Sequence, residues 1–337
     1  MCTLGIAGRV REETQLIKGF AMSMDPQLAE VLASMAKADG PSFDGLTPQQ
    51  MRPLYAGIGE QLGGPALRMA HVEERSAPGP AGAIPLRVYK PLGLESGPQP
   101  GLIYLHGGGW IIGSLDTHDK VCRRLADTCG CVVVSVDYRL APEHPFPAGP
   151  EDAIAASRWI LDNAQTLGLD EARIGIAGDS AGGGLSAVAC LANRGLPGPQ
   201  LCCQVLIYPG IDNSTAGEQR LSRIEQAQTP PLGAQAMKTM VSNYLPDPTS
   251  ANDWRASPLL AEDHTNLPPV LVITGGYDPL RDEGIAYAQR LAESGVEVLH
   301  RHYAGLVHGF IEMGGVLDAV EDAMQTIAFW FARRSGQ

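Results

Sequence analysis

The sequence predicts an α/β fold: a mostly parallel eight-stranded sheet with helices on both faces and a helical cap. Three observations carry this. Short apolar runs of strand length alternate with longer segments whose apolar residues recur every three or four positions. Glycine-rich turns follow several of those runs. Two segments, 1–65 and 211–260, break the alternation and read as helical additions to the sheet.

Within 1–65, Pro26 after Asp25 suits a helix start, and Leu28, Leu32, Met35 and Ala36 share a face. A second helix is expected from Thr47-Pro48, with Met51, Leu54, Tyr55, Ile58 and Leu62 on one side. Strands are expected at 72–76 and 84–89, joined through Pro78-Gly79-Pro80-Ala81-Gly82 as a hairpin. Further strands fall at 102–105, 131–136, 173–177, 202–207, 270–274 and 296–303. Most are continuous apolar runs, the pattern of strands buried on both faces of a parallel sheet. Helical patterns lie between and after them at 118–129, 150–167, 181–194, 281–294 and 316–333. Another helix is expected near 234–244. The division that results is a cap segment at 1–65, core at 66–210, a cap insertion at 211–260 and core again at 261–337.

Composition narrows the function. A formal net charge of −12 argues against nucleic-acid or anionic-membrane partners, which call for basic patches. Apolar runs such as 131–136 are too short to cross a membrane. The first eight residues lack the basic leader of a secretory signal. Seven cysteines are scattered without a C-x-x-C pair, and Cys131 and Cys202 read as small buried hydrophobes. These features predict a reduced, cytoplasmic protein without stable membrane association.

The chemistry lies in four motifs. Gly178-Asp179-Ser180-Ala181-Gly182 sits between an apolar run and an alanine-rich helical pattern. A serine on a sharp strand-to-helix turn, flanked by small residues, presents its hydroxyl as a nucleophile. His106-Gly107-Gly108-Gly109-Trp110 follows the third strand. Its glycines let backbone N–H groups turn toward a developing oxyanion, each such donor contributing about 3–4 kcal/mol. Gly107, Gly108 and Ala181 are the expected oxyanion donors. His308 lies in a loop just after the last strand, at the same sheet edge as the serine turn, and is the expected base. Asp278 follows the strand at 270–274 and is the expected orienting acid, with Asp282 second. Asp282 and Glu283 also suit a helix start electrostatically.

Other residues have plainer readings. His106 is expected to hold its loop, and Asp179 to position it. His300 and His302 alternate on a strand face and lack a third metal ligand. Glu143 and His144 lie in a proline-rich loop. Trp110, Asp179, Leu280 and Val307 are the candidate substrate-contacting residues.

With these residues in the order Ser180, Asp278, His308, the chain resembles the hormone-sensitive-lipase family of α/β-hydrolases, the bacterial family IV carboxylesterases. The run from Asp137 through Tyr138-Arg139-Leu140-Ala141-Pro142-Glu143-His144-Pro145 adds to the likeness, as do Asp278-Pro279-Leu280-Arg281 and His308-Gly309-Phe310. The resemblance spans from about residue 25 to the C-terminus. It implies an α/β-hydrolase fold, a cap made by the N-terminal helices and the mid-chain insertion, and hydrolysis of short- to medium-chain esters. The expected reaction runs through an acyl-enzyme, with no metal or organic cofactor and a small-molecule ester as the partner. A homodimer through an edge strand is a common arrangement on this scaffold and stands as an expectation. Amide, lactone or carbamate cleavage by the same residues stays open. So does a binding role on the same scaffold, though the presence of His308 speaks against it.

Overall fold

Side-chain alternation along the central strands explains why this chain makes a sheet with two cores. In the computed structural model, which describes residues 23–37 and 43–336, the eight strands form one sheet. They are β1 (His71–Gly79), β2 (Gly82–Lys90), β3 (Gln99–Leu105), β4 (Val132–Val136), β5 (Leu169–Asp179), β6 (Gln204–Ile207), β7 (Val270–Tyr277) and β8 (Val298–Val307). Their order is β1-β2-β4-β3-β5-β6-β7-β8. The β1–β2 and β2–β4 pairs are antiparallel and the other pairs parallel.

Ile103, Leu105, Val132, Val134, Ile176 and Val272 point into one core. Their neighbours Leu102, Tyr104, Val133, Ala177, Leu271 and Ile273 point into the other. That period of two places every second residue on the opposite face.

The helices are α1 (Pro26–Lys37), α2 (Pro48–Leu62), α3 (Asp119–Cys129), α4 (Ala148–Asp162), α5 (Ala181–Asn193), α6 (Ala234–Tyr244), α7 (Arg281–Glu293) and α8 (Asp318–Ser335), besides a few one-turn pieces. Side chains of α4, α5 and α7 fill the first core. Those of α3 and α8 fill the second. α5 is buried nearly all round, as expected of a helix in the middle of a layer.

Thr47 caps α2 through a capping box with Gln50, and Pro48 occupies the first turn, so this start was written locally. The pattern at 150–167 is one helix shorter than expected. α4 stops at Asp162, where the Asn163 side chain donates to the Trp159 carbonyl at 2.9 Å, and a separate one-turn helix follows over Ala164–Leu167. Of the two cysteines read as buried, Cys131 is, whereas Cys202 is only half-buried. The reading of the first eight residues lies outside the described residues.

Asp282 and Glu283 do more than favour a helix start. Fully buried Glu283 accepts from the Ile211 N–H at 2.8 Å and pairs with Arg223 at 2.6 Å. Asp282 accepts from the Ser222 N–H at 2.8 Å. The start of α7 thus anchors the 211–260 segment to the sheet. A buried carboxylate needs this much pairing to stay ionised.

No helix of the described residues is long and apolar enough to cross a membrane.

Candidate active site

Ser180 sits between β5 and α5 with φ 54° and ψ −120°, an unfavourable conformation for a residue with a side chain. Tight packing holds it there. A Cβ on Gly182 would stand 1.9 Å from the Leu105 carbonyl oxygen, so only glycine lets α5 start this close to β3.

The hydroxyl of Ser180 donates to His308 Nε2 at 2.8 Å, and His308 Nδ1–H donates to Asp278 Oδ2 at 2.9 Å. The other carboxylate oxygen of Asp278 accepts from the Leu280 N–H at 2.7 Å, which fixes the rotation of the carboxylate. The carboxylate accepts at Nδ1 and so assigns the proton there, leaving the Nε2 lone pair for the serine. Burial alone would push the His308 imidazole down. Asp278, through its charge and its hydrogen bond, together with the more distant Asp179 and Glu312, outweighs burial and holds it above its ordinary value. Tyr208, itself at positive φ, packs its ring 4.7 Å from the imidazole. Such a line can pass a proton from hydroxyl to imidazole and shelter the charge that results.

The glycine loop requires one correction to the sequence reading. The Gly107 N–H, expected in the oxyanion hole, donates instead to Asp179 Oδ1 at 2.9 Å. The N–H groups of Gly108, Gly109 and Ala181 have no partner among the described residues. Gly108 has φ +115°, and a Cβ there would lie 2.3 Å from the Ile112 carbonyl oxygen. His106 holds the loop as expected. Burial, aided by the nearby His118 charge, pushes its imidazole down to about 3, so it is neutral. Its Nδ1–H donates to the Gly107 carbonyl at 2.8 Å, and its ring stacks on Tyr138.

Two cavities meet at Ser180. The larger, about 100 Å³, is lined by Phe43, Tyr55, Ile58, Pro231, Met240 and Glu312 among others. The smaller, about 30 Å³, includes Trp110, Leu280, Met237 and Val241 in its wall. Trp110 thus lines a pocket and packs the loop at once, stacked 4.4 Å from Tyr244. Leu280 also reaches a pocket. Asp179 borders the larger cavity, but its carboxylate is taken up by Gly107 and Tyr104. Val307 does not reach either cavity: it is fully buried in the core beneath the sheet edge, because its position on β8 turns it away from the serine. Asp282 is committed to Ser222 and Arg281 and does not approach His308. His300 and His302 both contact the Thr274 hydroxyl, at 2.8 and 2.9 Å. Glu143 pairs with Arg52 of α2, which also donates to the Ile111 carbonyl.

The sequence reading missed His118, Tyr104 and Tyr208, which are buried beside the serine turn, and the partly buried Glu312. A histidine at the start of an amphipathic helix, just after a glycine loop, was the one local signal for His118.

An α/β sheet with a strained serine, an imidazole and a carboxylate at its C-terminal edge defines a hydrolase of the α/β class. The chain belongs to the α/β hydrolase fold family, whose model matches residues 102–312, and within it to the hormone-sensitive-lipase-like carboxylic ester hydrolases. It is 43 % identical over 248 residues to the esterase LipI of Mycobacterium tuberculosis, covering 73 % of this chain and 76 % of that protein. It is 37 % identical over 247 residues to an ethyl acetate hydrolase of Pseudomonas putida, covering 72 % of this chain and 76 % of that one. Among solved structures, the hyperthermophilic esterase of Pyrobaculum calidifontis superposes with a TM-score of 0.86 at 39 % identity, covering 93 % of this chain and 99 % of that one.

Proposed function

We propose that this chain is a serine carboxylesterase in which Ser180 is the nucleophile, His308 the base and Asp278 the residue that orients it. The observation that carries this reading is the unbroken hydrogen-bonded line from Ser180 Oγ through His308 to Asp278. His308 takes the hydroxyl proton as the oxygen attacks the ester carbonyl. The N–H groups of Gly108, Gly109 and Ala181 receive the oxyanion. The imidazolium then protonates the leaving alcohol, and the acyl group stays on Ser180. Water, deprotonated by the same imidazole, releases the acid and restores the serine. The reaction calls for no metal or organic cofactor.

A fluorophosphonate probe tests the assignment. It is expected to label Ser180 alone, located by mass spectrometry of the digested protein. The rate is expected to rise with pH and level off once His308 is neutral. Because the raised His308 value belongs to the folded protein, that rise is centred above the ordinary histidine range. Labelling at another serine, or a rate independent of pH, would remove the triad reading.

The walls of both cavities support short to medium acyl chains. The described N-terminal helices and the 211–260 insertion close over Ser180 from two sides, and we read them as parts of a cap; residues 1–22 and 38–42 of the expected 1–65 segment lie outside the described residues. With p-nitrophenyl esters from acetyl to palmitoyl, kcat/KM is expected to peak between butyryl and octanoyl. A maximum at palmitoyl would contradict it. A cytoplasmic site of action fits the six free cysteines among the described residues. A homodimer through the β8 edge is the corresponding reading for assembly.

A further inference from the structure

Asp179 Oδ1 collects an unusual set of donors. It accepts from the Gly107 N–H at 2.9 Å and from the Tyr104 hydroxyl at 2.7 Å, and His118 Nε2 lies 3.3 Å away. All these groups are buried. A Cβ on Gly107 would stand 2.2 Å from Asp179 Oδ2, so the loop lies directly against this carboxylate.

The protonation of His118 follows from its partners. The Thr117 hydroxyl gives its one proton to the Ser114 carbonyl at 3.0 Å. Toward His118 Nδ1, 2.9 Å away, that hydroxyl can only accept, so Nδ1 carries a proton. Nε2 faces a carboxylate and carries one as well. These partners favour the imidazolium form of His118, which has no contact with solvent. Burial opposes that charge, but Asp179 and Glu312 outweigh it and raise the imidazole above its ordinary value.

Glu312 extends the chain outward. Its Oε2 lies 4.0 Å from His118 Nε2, and its Oε1 accepts from the Tyr55 hydroxyl at 2.7 Å. Tyr55 belongs to α2, in the segment that closes the larger cavity. The remaining groups packed around His118 are the neutral His106 and the hydroxyl-bearing rings of Tyr104 and Tyr55.

We propose that His118 is a positioning residue of the oxyanion hole: it fixes Asp179, which holds the Gly107 amide, and Glu312 and Tyr55 tie that assembly to the helix over the acyl cavity. The proposal rests on the serine-esterase reading for its effect on rate. With Gly107 pinned inward, the next two N–H groups of the loop are left facing Ser180. The positioning matters because a donor displaced from a developing oxyanion loses its contribution in the transition state while substrate binding changes little.

The experiment uses the full chain and the variants His118→Leu, His118→Gln, Tyr55→Phe and Ser180→Ala. Turnover of p-nitrophenyl butyrate and hydrogen exchange of peptides spanning 106–112 are read in parallel. His118→Leu is expected to lower kcat by about 10- to 100-fold with KM within about twofold, and to speed exchange at Gly107 by at least about tenfold. His118→Gln keeps a donor toward Asp179 and is expected to recover most of the exchange protection and part of the rate. Tyr55→Phe, an isosteric change, is expected to lower kcat by about two- to fivefold and gives a second reading if His118→Leu does not fold.

Wild-type exchange at Gly107 with wild-type kcat in His118→Leu, or in Tyr55→Phe if His118→Leu does not fold, would overturn the proposal. So would a loss of protection that is uniform over the whole molecule. Ser180→Ala separates the two readings. If it hydrolyses the ester normally, the serine-esterase reading fails, while the exchange measurement still decides whether His118 holds the loop.

Discussion

Ser180→Ala is expected to lower kcat for p-nitrophenyl butyrate by about a million-fold, with KM within a few-fold of wild type. The size follows from what the hydroxyl does. Without it no acyl-enzyme forms, and His308 has no proton to take from its 2.8 Å partner. The cavities and the free N–H groups of the loop remain, so substrate should still bind. Residual catalysis above water, from binding and the oxyanion donors, is expected at about 10³- to 10⁴-fold. The substitution also relieves nothing in the backbone, because alanine meets the same strain at φ 54° as serine does. Thermal unfolding should therefore stay close to wild type. Steady-state kinetics with the same preparation checks both points. A variant retaining a measurable fraction of normal turnover would place the nucleophile elsewhere.

The second large effect is expected at Asp278. Asp278→Asn should lower kcat by about 10⁴-fold, through the tautomer of His308 rather than through lost packing. The reason is specific to this site. Oδ1 of Asp278 accepts from the Leu280 N–H at 2.7 Å, a position only an oxygen can fill. Asparagine must therefore turn its oxygen to Leu280 and its NH₂ to His308. A donor facing Nδ1 forces the proton to Nε2, where it points at Ser180 and blocks proton transfer. Nitrogen NMR of the imidazole distinguishes the two tautomers directly. The change should leave fluorophosphonate labelling slow at every pH up to the point where the protein unfolds. Normal turnover, or an Nδ1–H tautomer in the variant, would refute this account.

How much could be read in advance differs from element to element. The strands were legible because parallel strands buried on both faces must be largely apolar, as 132–136 and 270–273 are. The start of α2 was legible because Thr47, Pro48 and Gln50 satisfy its first N–H groups from within four residues. Ser180, Asp278 and His308 were legible because each had to follow a strand. The direction of the Gly107 N–H was not. The glycines announced a loop whose amides could turn inward, but which amide faces Ser180 depends on Asp179, seventy-two positions away. Glu283 was read only in part for the same reason. Its helix start explained it locally, whereas its partners Ile211 and Arg223 come from a distant segment. Val307 was misplaced because the sequence puts it beside His308 without saying which side of the strand faces the serine.

The sequence by itself determined the sheet, the strained turn and the glycine loop, and pointed to Ser180, His308 and Asp278, with Asp282 second for the acid. Each of these is a demand on backbone shape or on periodic burial, and such demands mark the residues that meet them. Only the tertiary structure decided which N–H groups are free, that His118 lies against Asp179, and that Glu312 joins it to Tyr55 of α2. Those are questions of charge and hydrogen-bond partnership. Buried polar groups take partners wherever the packed chain provides them, and in this protein the partners come from segments far apart in the sequence.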